Sequence, residues 1–198
     1  RGIPIFTFVN KLDRFGKAPL DLMDELENVL GIRSYPMNWP IGTDGTYRGV
    51  YDREKNRIEL FAEDVTHGQE TRVSAVFEVD DPTWKERVGE EAAAALFDDI
   101  ELLRDAGEEF DRAAVDAGEL TPMFFGSAMT NFGVQNFLEA YIRLAPPPAP
   151  RTSSDGVIAP DDEHFSGFVF KIQANMNPAH RDRLAFIRIS SGKFDRNM

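Results

Sequence analysis

Asn10-Lys11-Leu12-Asp13 sets an amide, an ammonium on a long aliphatic stem and a carboxylate within four residues. One carboxylate can accept two hydrogen bonds side by side, so its complement is a base edge carrying two adjacent donors. Guanine has such an edge in N1–H and the exocyclic 2-amino group. Adenine has neither donor in that arrangement and would leave a buried Asp13 unpaired, and sites of this kind discriminate by about 10⁴-fold or more. The stem of Lys11 would cover one face of the base, while Asn10 would tie neighbouring loops together. The competing reading is an ordinary polar turn after a strand.

Gly126-Ser127-Ala128 is a second candidate, because small residues let a backbone approach a ligand and the Ala128 amide could donate to guanine O6. Alone it reads as a tight turn; its value comes from its place at the end of the next sheet strand. A cradle for phosphates would need the pattern G-x-x-x-x-G-K-S/T. Its nearest candidate, Gly16-Lys17, has Lys11 where the first glycine belongs and Ala18 where the magnesium-binding hydroxyl belongs, so it fails. No nucleophile-base set or carboxylate pair stands out, and the acidic residues of the 89–112 stretch read as a solvated face. No catalytic or metal-binding residue is assigned in this chain.

The elements that must position these loops follow from hydrophobic patterning. Ile3, Ile5, Phe6, Phe8 and Val9 form a nearly continuous apolar run, the pattern of a strand buried on both faces of a parallel sheet. After the polar loop, Pro19 suits a first helical position. Leu20, Met23, Leu26 and Leu30 then recur at helical spacing up to Gly31. Thr121–Phe125 and a helix carrying Val134, Phe137, Leu138, Tyr141 and Ile142 repeat the strand-loop-helix plan. Two such units predict a doubly wound α/β sheet, whose ligands bind at the carboxyl ends of the strands, where both loops lie.

Between the units, 47–51, 57–62 and 72–79 read as short strands and 89–106 as an amphipathic helix, a small α+β insert spanning about 43–120. Pro146–Pro150 opens a linker extending to about 165. Phe168, Phe170 and Ile172 alternate in one strand and Ala185, Ile187 and Ile189 in another, the start of an antiparallel barrel or sandwich. The expected domains are therefore 1–145, with its insert, and 166–198. A first residue other than Met and an immediate strand suggest a piece of a longer chain.

The 198 residues contain no Cys, which excludes a disulfide framework and a Cys-based zinc site; His67, His164 and His180 lie far apart. No apolar run approaches the roughly 18 residues needed to span a bilayer, so a soluble cytoplasmic protein without membrane partners is expected. The net charge of −12 disfavours nucleic acid, yet from Ser166 onward six basic residues face two acidic ones, leaving −16 on residues 1–165. The C-terminal piece alone favours RNA, with solvated surface charge as the equal alternative.

With these residues in hand, the chain resembles the translational GTPases. Asn10–Arg14, Pro40–Gly42, the 43–120 insert, Gly126–Ala128 with Asn131–Val134, and Pro146–Pro150 match the plan that elongation factor G shares. Asn38-Trp39-Pro40-Ile41-Gly42 and the run Gly167–Arg183 are similar to the release factor 3 branch. The resemblance implies the C-terminal part of a P-loop GTPase domain with an inserted subdomain, followed by the first strands of a β-barrel domain. It implies GTP and GDP as ligands with Mg²⁺ at the phosphates, and the ribosome and class I peptide chain release factors as partners. Guanine binding maps to Asn10, Lys11, Asp13, Ser127 and Ala128, while the phosphate loop, magnesium-binding Thr and catalytic His would precede residue 1. The alternatives are an elongation factor G-like or ribosome-protection GTPase, and a non-catalytic ribosome-binding module.

Overall fold

The computed structural model describes residues 2–42, 46–62, 73–105, 109–154, 156–174 and 183–196. Parts of the expected elements and runs lie outside these residues: Thr43 at the insert boundary, Arg72, Ala106, and residues 175–182 of the Gly167–Arg183 run. So do His67 and His180.

The chain divides into two compact units, Arg1–Ala145 and Pro146–Met198. The first is organised on a three-stranded parallel sheet of order β1-β7-β2, with β1 at Thr7–Val9, β2 at Arg33–Pro36 and β7 at Leu120–Phe125. Strand β7 is buried throughout. Along it Met123 and Phe125 join Val9 in the core shared with helix α1 (Pro19–Leu30), through Leu22, Met23 and Leu26. Phe124 points to the other face, where Phe137 and Ala140 of helix α5 (Val134–Leu144) pack with Phe6 and Phe8. Helices thus cover both faces, as an α/β sheet requires. Pro19 opens α1, and Gly31, in the left-handed region at φ 67°, closes it.

Strand β1 is shorter than its apolar run. Ile3 and Ile5 are exposed, and pairing begins at Thr7. Pro122 in β7 has no N–H to extend the ladder toward the N-terminus. In its vicinity the Thr121 hydroxyl donates to the Ile5 carbonyl at 2.8 Å. With β1 at the sheet edge, its residues are half-buried rather than enclosed on both faces.

The insert forms a four-stranded antiparallel sheet of order β3-β4-β5-β6, comprising Asn38–Ile41, Gly49–Asp52, Arg57–Phe61 and Val73–Glu78. Its first strand precedes residue 43, so the new sheet begins immediately after β2 ends. Pro40 is accommodated because β3 is an edge strand. Trp39, Ile41, Val50, Ile58 and Leu60 pack with Trp84 of α2 (Thr83–Val88) and with Leu96, Ile100 and Leu103 of α3 (Glu90–Asp105). The Trp39 indole also donates to Asp99 on α3 at 2.8 Å. A short α4 (Arg112–Ala117), capped by the Asp111 carboxylate, leads into β7.

In the second unit, Arg151–Ser153 (β8) and Gly156–Ile158 (β9) pair as a small hairpin inside the segment that reads as a linker. Strands β10 (Ser166–Ala174) and β11 (Arg183–Ser191) form a long antiparallel pair. A bulge between Val169 and Lys171 interrupts the alternation of β10. Phe168, Val169, Phe170 and Ile172 are all exposed, and among the described residues the sheet does not close into a barrel.

Candidate functional site

Parallel pairing sets Val9 beside Phe125, so the loops after β1 and β7 leave the sheet at the same end. They are then stitched together. Gly126 N–H donates to the Val9 carbonyl at 3.0 Å, and Leu12 N–H donates to the Gly126 carbonyl at 3.1 Å. Asn10 Oδ1 accepts from Lys11 N–H at 2.8 Å and from Ala128 N–H at 2.9 Å. Asn10, Lys11, Asp13, Ser127 and Ala128 therefore lie on two loops joined by direct hydrogen bonds.

Leu12 is 8% exposed and belongs to the main core, which anchors the loop between two polar neighbours. Lys11 takes φ 71°, and Arg14 N–H returns to its carbonyl at 3.0 Å, so a tight turn presents Asp13. The Asp13 carboxylate is 24% exposed, and its Oδ1 is buried with no hydrogen-bond partner. Arg14 Nε stands 3.9 Å from Oδ2 and belongs to a largely exposed side chain. Ser127 is fully buried, and its Oγ is also without a partner. Buried polar atoms are nearly always satisfied, so two orphans in adjoining loops mark a place where a polar ligand would complete the site.

The Ala128 amide, expected to donate to guanine O6, donates to Asn10 Oδ1 at 2.9 Å, so a base oxygen would share or displace that bond. Among the described residues, no group of three or more His, Asp or Glu side chains could hold a metal ion.

Several residues that shape the site carry little sequence signal. The loop after Ser127 folds back so that Ser127 N–H meets the Phe132 carbonyl at 2.9 Å. A Cβ on Gly126 would come within 2.2 Å of that carbonyl, so only glycine permits this closure. The Phe132 ring stacks on Phe61 of the insert at 4.6 Å between centroids. Helix α5 is tied to the insert by polar contacts: Asn136 donates to Glu59 at 2.9 Å, Lys55 meets Glu139 at 3.3 Å, and Arg143 pairs with Glu54. Gln135, and then Lys55, hold the Glu139 carboxyl below its ordinary range. A β-strand glutamate or a Phe in a loop could be found from sequence only if the pairing of insert and helix were already known.

The model of the elongation factor Tu GTP binding domain matches residues 1–147, and that of elongation factor G domain 2 matches residues 164–198. Peptide chain release factor 3 of Symbiobacterium thermophilum is 56% identical over all of this chain, which covers 37% of that relative. Those of Synechocystis sp. and Streptococcus pneumoniae are 51% and 53% identical, again over the whole chain, which covers 36% and 37% of them. The chain thus spans little more than a third of the length of these curated relatives. A solved structure from Thermus thermophilus shares the fold at 22% identity, with a TM-score of 0.56 over 96% of this chain and 28% of that one.

Proposed function

The chain belongs to the family of the elongation factor Tu GTP binding domain, and from that premise we propose that it supplies the guanine-recognition part of a GTP-driven translation termination factor. The observation that carries this reading is the pair of buried, unpartnered atoms Asp13 Oδ1 and Ser127 Oγ on loops already locked together. Asp13 accepts from guanine N1–H and the 2-amino group, Lys11 lays its stem along the base, and Ser127 and Ala128 approach the O6 side. Asn10 holds the two loops in register. GTP or GDP with its Mg²⁺ is the ligand, and no residue of this chain is assigned to the phosphates or the metal.

The likeness to peptide chain release factor 3 supports a task on the ribosome, in the cytoplasm, promoting departure of class I release factors with turnover of GTP. Calorimetry on the full-length parent protein tests the nucleotide reading: it should bind GDP and reject ADP, and equal binding of the two would refute it. Ribosome complexes carrying a class I factor test the task, with GTP-dependent release of that factor expected. The match to elongation factor G domain 2 keeps one rival task in view, elongation or ribosome protection. GTP-dependent translocation, or removal of a bound ribosome inhibitor, without class I factor release would establish it. A non-catalytic ribosome-binding module would bind ribosomes without binding GDP.

A further inference from the structure

Asn38 is 1% exposed and sits where the chain leaves one sheet for the other. Strand β2 pairs with β7 through Pro36, and Met37 N–H still donates to the Met123 carbonyl at 2.8 Å. At the next residue the backbone turns away to begin β3. The side chain of Asn38 then takes over the ladder: its Nδ2 donates to the Phe125 carbonyl at 3.1 Å, and its Oδ1 accepts from Phe125 N–H at 2.7 Å. A carboxamide carries the donor and acceptor of a peptide group, so it can stand in for a missing strand residue. Asp lacks the donor, and an apolar residue lacks both.

Phe125 is the last residue of β7, and Gly126-Ser127-Ala128 follows it directly. On its other side Phe125 is in register with Val9, so the exit of β7 is gripped by β1 on one flank and by Asn38 on the other. The neighbouring turn is equally close: a Cβ on Gly133 would lie 2.6 Å from the Phe125 carbonyl and 3.5 Å from Asn38 Nδ2. Without Asn38, the buried Phe125 N–H and carbonyl lose their partners on the insert side, and the strand end is free to shift. We infer that Asn38 is a positioning residue for the nucleotide site, its side-chain amide fixing the height at which the Gly126–Ala128 loop meets the base. This rests on the guanine reading of that loop and adds the device by which the insert sets it.

The test uses the full-length parent protein with Asn38→Leu, and Asn38→Asp in case the first does not fold. Without nucleotide, amide hydrogen exchange at 126–128 should quicken about tenfold or more, while α1 stays at its parental rate. GDP and IDP affinities should fall together by about tenfold, because the loop moves but the Asp13 contact to the 2-amino group is retained. Asn38→Asp should lie between the parent and Asn38→Leu. A role in general stability alone would lower Tm and leave the affinity of the folded protein unchanged. Exchange at 126–128 at the parental rate, or GDP affinity within twofold of the parent in the folded variants, would overturn the inference. A parent that binds GDP no better than ADP would instead overturn the guanine reading beneath it.

Discussion

Replacing Asp13 by Asn is the most direct probe of the site, because the structure isolates that side chain. Oδ1 has no partner, and Oδ2 has one distant cation at 3.9 Å on an exposed arm, so the substitution removes no hydrogen bond from the fold. Bound guanine would give Asp13 two charge-assisted hydrogen bonds, each worth about 1.5–3 kcal/mol. The Asn carbonyl can keep one as a neutral bond worth about 1 kcal/mol, while its amide opposes the 2-amino group. The net loss is about 3 kcal/mol, roughly a 150-fold rise in the Kd for GDP. Xanthine has a carbonyl at position 2, to which the Asn amide can donate, so XDP should gain about tenfold. The measurement is calorimetry of the full-length protein with GDP and XDP, beside a thermal melt. A GDP affinity within threefold of the parent, with no gain for XDP, would refute the assignment. A large fall in Tm with an unchanged GDP to XDP ratio would make Asp13 a structural residue.

Glu59 is 2% exposed and accepts from Arg57 and Asn136, so Glu59→Ala removes both charge-assisted bonds, while Arg57 keeps Asp52 at 4.0 Å, and should cost about 1.5–3 kcal/mol in denaturant unfolding; a loss below about 0.5 kcal/mol would show that these bonds contribute little. The Tyr47 hydroxyl is buried without a partner, so Tyr47→Phe should stabilise by about 1 kcal/mol, and a destabilised variant would mean the hydroxyl has a partner. Burial also pushes the Tyr47 phenol above its usual 10.0, so the unfolded chain ionises first; stability is full below that value and falls as pH rises past it, a slope that Tyr47→Phe should reduce. The 198-residue chain by itself should bind GDP more weakly than about 1 μM, since it offers no phosphate loop and forgoes several bonds of about 1.5–3 kcal/mol each; sub-micromolar binding would contradict this.

Patterning made the two strand-loop-helix units legible because β7 is apolar on both faces and α1 and α5 carry regular stripes. The loops followed from them, since parallel strands must end at one edge. Less visible were β2 and β3, four residues each with a proline inside, which give no periodicity to read. Helices α2 and α4, six residues each, are too short for a stripe. The apolar run of Ile3–Val9 reads as a longer strand than forms, because it says nothing of Pro122 on its neighbour. At the site, the sequence leads one to expect Asn10 to tie the two loops together, but not that it does so through the Ala128 amide: an N–H shows which acceptor it has chosen only when both loops are in place.

The placement of the insert explains why so long a crossover can interrupt the sheet without loosening the site. It enters at Asn38, whose amide closes the β7 ladder, so the departure point is itself a support. It touches the loop again where Phe61 stacks on Phe132, which also closes the turn onto Ser127. A third contact, Glu59 to Asn136, fixes the first turns of α5 just beyond that loop. Along 125–136 the backbone is therefore held from the insert side at its start, middle and end, whereas the 10–17 loop is held by Leu12, by the bonds to Gly126 and Ala128, and by Lys17 paired with Glu25 of α1. Whatever displaces the insert acts directly on the Gly126–Ala128 wall of the pocket, and reaches Asp13 through the bonds between the loops and through Leu12, which shares its core with Trp39 and Phe61 of the insert.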